Sequence, residues 1–497
     1  MRVVLSRQLG AEGLGIYQIA LSVFAVYSTL VSGGLPVTIS HKSAKSMVSK
    51  NKKMEGATLS SALIISCTLA TILSIFTLVF KDLLISVTNP TAYTILLIMI
   101  PGIYACGIGG CFRGALWGRK RHFENSITEL LEQIFRLTLI CFLINVQYSS
   151  SKSAILASIC LCSSYIFSTI ISIFFYFKNK GILFYPKDEF MNILKTSTPI
   201  TCVRLCSSIG TSLISLILPL RLVAIGYTEE LTLSLFGIVS GMTLPLLMFP
   251  NTLIGAYATA LVPELTTLLE QKNQQDFDKE VKTSITTCLF IVFCFVPLFI
   301  GLGEQIGVLL FNNSTSGSFL VKSAWIIIPN ALCAISSSIL NVLNMETKSF
   351  INYIIGFVVM FIFSWFMPLV IGIDALVYGM GACITIASIL NLLMIYKKCN
   401  CKNLVLKPLF LMTLFTIPSI MITTQTYKLL RYIMPSFFSI SISGGLGIIF
   451  FILLSLMFDV INIYNVLPKI KNVNSLKQKR KKKFAFSQKL KLFEKKH

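Results

Sequence analysis

Apolar stretches of about 20 residues recur from one end of this chain to the other, separated by short polar segments. An α-helix needs ~20 apolar residues to cross a hydrocarbon core ~30 Å thick. The pattern predicts thirteen spans, at 16–40, 57–80, 92–112, 123–145, 154–177, 190–221, 231–262, 283–311, 320–342, 350–371, 375–396, 406–426 and 436–458. In lipid each backbone polar group must be bonded within its own segment, so the expected fold is an all-α polytopic membrane protein. Pro199, Pro245, Pro250, Pro297 and Pro418 fall inside spans, where bends often serve movement.

One span departs from the apolar pattern. From Cys111 the chain crosses a basic loop with Arg113, Arg119, Lys120 and Arg121, then enters a helix expected to start near Phe123. Glu129, Glu132, Gln133 and Arg136 recur there at i, i+3, i+4 and i+7 and share one helix face. Arg136 lies about 20 Å along that helix at ~1.5 Å per residue, near mid-bilayer. Glu132 precedes Arg136 by four residues, the favourable order for an ion pair. A face of this kind is expected to look into protein or a watery cavity.

Composition agrees: 55% of the 497 residues are hydrophobic and 13% charged, with mean hydropathy +0.79. The net charge of +23 sits in loops and in the C-terminal tail, which points to membrane orientation rather than nucleic acid. With the loop at 41–56 set inside and the sides alternated, 32 of the 43 Lys and Arg fall inside, 8 outside and 3 within spans. The tail is then cytoplasmic. An odd number of spans puts Met1 outside with no export signal before it, so a helix upstream of Met1 is expected, with genuine N-out insertion as the alternative. The 14 Cys are scattered through apolar runs with no CxxC, and there are only three His. They read as small hydrophobes, and no metal site is expected.

A faint half-chain repeat relates Arg113–Phe123 to Asn341–Phe350, and Leu35-Pro36 to Val262-Pro263, about six spans apart. An even offset keeps orientation, giving a parallel repeat of two pseudo-symmetric helical lobes around a central cavity. The expected division is 1–15, the end of a truncated first helix and an outer loop; 16–189, an N-terminal lobe; 190–404, a C-terminal lobe; 405–458, a final helix pair; and 459–497, a basic cytoplasmic tail.

Several stretches carry a resemblance: Leu9-Gly10-Ala11-Glu12-Gly13-Leu14-Gly15-Ile16-Tyr17-Gln18, Ser32-Gly33-Gly34-Leu35-Pro36-Val37-Thr38-Ile39-Ser40, and Phe112-Arg113-Gly114 with Gly118. So do Glu132-Gln133-Ile134-Phe135-Arg136, Gly241-Met242, Leu244-Pro245-Leu246, Phe249-Pro250 and Leu261-Val262-Pro263. Over nearly its whole length the chain resembles the stage V sporulation protein B family. These are polysaccharide-biosynthesis members of the multidrug/oligosaccharidyl-lipid/polysaccharide exporter superfamily, related to lipid II flippases and multidrug exporters. The resemblance implies 14 helices in two six-helix lobes plus a final pair, with the first helix ending just before Leu9. It implies a bacterial cytoplasmic-membrane flippase that moves an undecaprenyl-pyrophosphate-linked saccharide by alternating access, a lipid II-like precursor for spore cortex or cell-wall polysaccharide being the sharpest version. No GxxxxGK[ST] loop is present, so a secondary transporter rather than an enzyme is expected. It would use no cofactor, and coupling to membrane potential, H+ or Na+ is the default.

An anionic headgroup needs a hydrated cationic path. Arg204, about 14 Å into its span from Lys195, has no acidic residue within four positions; it reads as a pyrophosphate contact or as one half of a bridge to Glu129 or Glu132. Arg136 with Glu132 reads as a structural pair or a cavity group. Arg7 in the outer flank, and Asn251 and Tyr257 in the span after Arg204, are further substrate candidates. Glu264 beside Pro263 reads as a gate residue or an ion ligand, and Trp117 as an interfacial anchor. The tail interleaves Lys with Phe484, Phe486, Leu490, Leu492 and Phe493, which suits anionic lipid at about 1 kcal/mol per basic residue. Docking of cell-wall synthesis enzymes is a second reading of the tail, and nucleic acid is not expected as a partner. The alternative function is a cation-coupled small-molecule antiporter of the multidrug type, for which Glu129 and Glu132 would be coupling groups. A scaffold for wall-synthesis enzymes stands third.

Overall fold

The computed structural model describes residues 1–49, 51–145, 147–185, 189–399, 405–458 and 460. The expected basic tail at 459–497 lies outside them but for one residue. Among the described residues there is no strand. The helices are α1 (Arg2–Ser32), α2 (Leu35–Val48), α3 (Lys52–Val79), α4 (Lys81–Val87), α5 (Pro90–Ile98), α6 (Ile100–Gly118), α7 (His122–Leu143), α8 (Ser150–Lys178), α9 (Glu189–Ala224) and α10 (Glu229–Phe236). A π-helical segment, Gly237–Thr243, leads into α11 (Leu244–Leu247) and α12 (Pro250–Glu270). Then follow α13 (Gln274–Phe293), α14 (Val296–Phe311), α15 (Ser314–Ser323), α16 (Ile327–Val342), α17 (Glu346–Phe366), α18 (Pro368–Ile371), α19 (Asp374–Lys398), α20 (Leu406–Leu430) and α21 (Ser436–Met457).

Among the described residues twelve helical segments are long and apolar enough to cross a membrane, and the pair α5–α6, bent by 44°, makes thirteen. The fold is that of a multi-pass membrane protein. α7 adds a helix whose charges set it apart from these. Two expectations are corrected. Residues 2–15 hold no outer loop: two helical stretches meet across a kink at Gly10 (φ 69°) and together make α1, the first stretch ending where the end of a first helix was expected. The single span expected at 231–262 is two helical stretches that meet at Met248–Phe249, because Pro250 lacks the N–H that would carry the helix through.

Contacts divide the chain into two units. The first holds Met1–Leu246, Gly307–Leu320 and Gly356–Cys383. The second holds Leu247–Ile306, Val321–Ile355 and Ile384–His497. α9 therefore lies with the first unit.

Within the first unit, helices meet through small residues, as they must where lipid offers no hydrophobic drive for association. Gly102 of α6 faces Cys162 of α8, and Gly114 lies against the backbone of Pro36 in α2. Thr169 on α8 donates to the carbonyl of Ala105 across 2.8 Å. Tyr176 and Phe112 meet edge to face in a core with Leu35, Ile39 and Leu59. Large apolar side chains point outward instead, Phe123 at 74% and Phe142 at 84% exposure. Helix starts are capped where the sequence provides an oxygen: Asn51 for α3, Ser149 for α8, Thr228 for α10 and Asn273 for α13. In the second unit α12, α13 and α16 pack together, and α20 pairs with α21. A buried amide–hydroxyl network there joins Asn352 to Asn391 (2.8 Å) and Asn391 to Ser337 (3.1 Å).

Candidate functional site

α7 carries charge into the first unit, and its neighbours absorb most of it. Asn125, Thr128, Glu132, Arg136 and Ile140 form its buried face. Arg136 donates through Nη2 to Glu132 Oε1 at 2.5 Å and through Nε to Ser164 Oγ at 2.7 Å. Its guanidinium lies over the ring of Tyr165, 5.1 Å from the centroid. The second oxygen of Glu132 is 3.9 Å from Arg113 at the end of α6. Stacking of Phe135 on Phe167, with centroids 4.3 Å apart, holds α7 and α8 in the register that places Ser164. Glu129 and Gln133 are exposed rather than part of this buried face. At about 100° per residue they sit on the flank of the Glu132–Arg136 line, so the four-residue stripe divides into a buried pair and an exposed pair.

Arg204 lies on α9, one turn beyond Pro199, and is exposed. Its Nη1 donates to the carbonyl of Gly33 at 2.7 Å. Among the described residues it forms no ion pair, so the bridge to Glu129 or Glu132 is absent and Glu132 belongs to Arg136 and Arg113. Gly33 and Gly34 form the break between α1 and α2. One turn before Arg204, Thr201 Oγ1 accepts the Gly34 N–H at 2.9 Å. The break is tight: a Cβ on Gly33 would fall 2.7 Å from Thr201 Cγ2.

Arg7 sits elsewhere in the unit. Its guanidinium donates to the carbonyls of Leu310, at 2.7 Å, and Leu309 at the C-terminal end of α14. A cation there satisfies orphan carbonyls and opposes the negative end of the helix dipole. Asn251 and Glu264 belong to the second unit, both on α12. The amide of Asn251 lies 3.3 Å from Met248 Sδ, and Glu264 is half-buried. Tyr257 is half-buried on the same helix, and Trp117 is exposed at the end of α6.

Sequence reasoning overlooked Arg113 as a partner of Glu132, the Gly33 carbonyl as the partner of Arg204, and Thr201 as the acceptor of the Gly34 N–H. The Gly-Gly-x-Pro order at 33–36 lay inside the span expected at 16–40, and nothing local tied it to a helix some 170 residues later. It also overlooked a second cluster in the first unit. There Arg119 binds both oxygens of the buried Glu55 (2.6 and 3.0 Å) and the carbonyl of Asn179 (2.7 Å), with its guanidinium over Tyr176. Lys42 on α2 pairs with Glu189 at the start of α9.

The profile of the polysaccharide biosynthesis protein family matches residues 1–269, more than half of the chain. The chain belongs to that family. It is 23% identical over 376 residues to stage V sporulation protein B of Bacillus subtilis (strain 168), covering 71% of each chain. Among solved structures it resembles the lipid II flippase MurJ in an inward closed conformation, with TM-score 0.70 and 17% identity over 94% of this chain and 96% of that one. It also resembles an inward-facing multidrug resistance MATE transporter of the MOP superfamily, with TM-score 0.68 and 16% identity over 80% and 92%. The fold expected from the sequence is thus the fold observed, and this family member shares it with both flippases and drug exporters.

Proposed function

We propose that the protein is a flippase that carries a pyrophosphate-linked saccharide on a polyprenyl chain across the cytoplasmic membrane by alternating access. The observation that carries this reading is the contrast between two arginines. Arg136 is buried and its charge is matched by Glu132. Arg204 is exposed, holds a single neutral carbonyl and has no carboxylate partner among the described residues. A guanidinium with unused, fork-shaped donors suits the paired oxygens of a phosphate, as it does those of a carboxylate, and no carboxylate among the described residues is bonded to it. A cavity of about 790 Å³ in the second unit, lined by Trp325, Ile328, Leu332, Ile389, Leu392 and Leu409, has the chemistry of a hydrocarbon-chain site and agrees with a lipid cargo. A lipid II-like precursor of wall or spore cortex is the narrowest form of the proposal, with membrane potential or an ion gradient as the drive. Anionic lipid and wall-synthesis enzymes are the partners proposed for the tail.

Glu129 supports a second reading. It is exposed on α7 and forms no ion pair among the described residues, as a cation-coupling carboxylate in a multidrug-type antiporter would require.

The test is reconstitution into liposomes with labelled lipid II and other undecaprenyl-pyrophosphate saccharides, followed by their accessibility at the opposite leaflet. Movement of these lipids supports the flippase. Cation-driven export of small organic cations, without lipid movement, supports the antiporter.

A further inference from the structure

The break between α1 and α2 leaves backbone groups that a continuous helix would satisfy internally. Pro36 has no N–H, and Gly33 and Gly34 lie between the last turn of α1 and the first of α2. α9 supplies partners for one donor and one acceptor at once. Thr201 takes the Gly34 N–H, and Arg204 gives a proton to the Gly33 carbonyl. Ser197, Thr201 and Arg204 are spaced i, i+4 and i+7, so one face of α9 reads the break. The fit depends on glycine: a Cβ on Gly34 would meet the Ser197 backbone, with its carbonyl carbon at 3.0 Å. Two further bonds extend the seam, from Ser212 Oγ to the Ser22 carbonyl at 2.5 Å and from Thr29 to Ser208 at 3.3 Å. The α1–α9 bonds named here are polar, and the exposed Arg204 brings a charge to them.

We propose that Arg204 and Thr201 form a cargo-sensitive clamp on the Gly33–Gly34 break, which releases when a pyrophosphate oxygen takes the Arg204 guanidinium from the Gly33 carbonyl. This rests on the pyrophosphate-bearing cargo proposed above and adds a positioning role to it. An anionic oxygen outcompetes a neutral carbonyl for the same guanidinium, because a bond with both partners charged is the stronger one. Once Arg204 turns away, the Gly33 carbonyl loses its donor and the break loses one of its two tethers to α9. Glycines impose no steric barrier to rearrangement of the chain there. Binding at one side chain is thereby converted into freedom of α2 relative to α1, the kind of two-state element that transport requires.

The experiment uses the full chain in lipid nanodiscs and follows hydrogen–deuterium exchange of peptides covering 30–40, with geranylgeranyl pyrophosphate as probe and geranylgeraniol as control. Binding of each is measured separately by calorimetry. The pyrophosphate is expected to raise exchange over 33–38 at least five-fold and the alcohol to leave it unchanged. Arg204→Gln is expected to show raised exchange without ligand and no further response; Arg204→Lys, which keeps the charge, is expected to give a reduced response. Thr201→Val is expected to raise basal exchange at Gly34. Binding of the pyrophosphate with no change over 33–38 overturns the clamp and leaves the proposed cargo class standing. Absence of binding overturns both.

Discussion

The guanidinium of Arg204 donates to the carbonyl oxygen of Gly33 across 2.7 Å, joining a charged residue of α9 to a helix break 171 residues earlier. That contact gives Arg204 a neutral partner in place of the carboxylate that was one of its two readings from the sequence. Arg204→Ala is accordingly expected to abolish movement of lipid-linked saccharide while the protein inserts and accumulates normally. Arg204→Lys should restore only part of the activity, since an ammonium keeps the charge and loses the fork. A liposome flipping assay beside a thermal unfolding curve checks both, and normal transport by a folded Arg204→Ala protein removes the cargo role.

Glu132 and Arg136 should behave in the opposite way. Both are buried and bonded to each other at 2.5 Å. Glu132→Ala strands a buried guanidinium and is expected to destabilise the protein by about 3–5 kcal/mol. Replacing both, Glu132→Gln with Arg136→Met, should recover most of that loss, because no fully buried charge remains and Arg113, which also faces Glu132, is only partly buried. Unfolding midpoints of the single and double variants in detergent decide it.

The Arg119–Glu55 pair depends on fork geometry. Arg119 makes two bonds to the Glu55 carboxylate and a third to the Asn179 carbonyl. Arg119→Lys keeps the charge but cannot make all three, and a loss of about 2 kcal/mol is expected. Thermal unfolding of this variant, compared with Lys120→Arg at the exposed position next to it, separates geometry from charge.

Gly15 of α1 and Gly237 of the π-helical segment approach backbone to backbone. A Cβ on Gly237 would lie 2.6 Å from the Gly15 nitrogen, whereas one on Gly255 would meet nothing within 4 Å. Gly15→Val and Gly237→Val should therefore lower both accumulation and melting temperature. Gly255→Ala should leave them unchanged or slightly raised, since alanine is the better helix former by about 1 kcal/mol. Parallel expression and melting measurements test the contrast.

Orientation gives a further test. The charge bias puts the loops around Arg119, Lys272 and Lys398 on the cytoplasmic side and those around Lys152 and Lys322 outside. This requires the broken stretch from α10 to α12 to cross the membrane once. Membrane-impermeant labelling of single cysteines, introduced into a cysteine-free background, should reach the second group alone. Labelling of the Lys272 loop from outside would show that α10–α11 and α12 cross separately.

Apolar runs of about 20 residues, broken by basic loops, were sufficient to specify a helical membrane protein, because hydrocarbon leaves a backbone few alternatives to the helix. The same local logic made the Glu132–Arg136 pair legible, since both groups lie on one helix one turn apart. It failed where backbone geometry or distant segments decide. The break at Met248–Phe249 within one apolar run was invisible to hydropathy, because a Pro changes hydrogen bonding without changing polarity. Glu129 and Gln133 share a helical stripe with Arg136, yet only the neighbouring α8 determined that Arg136 is buried and they are not. The partner of Arg204 was a backbone carbonyl. Every residue carries one, so no side-chain pattern could have singled out Gly33; packing of α9 on the α1–α2 break did.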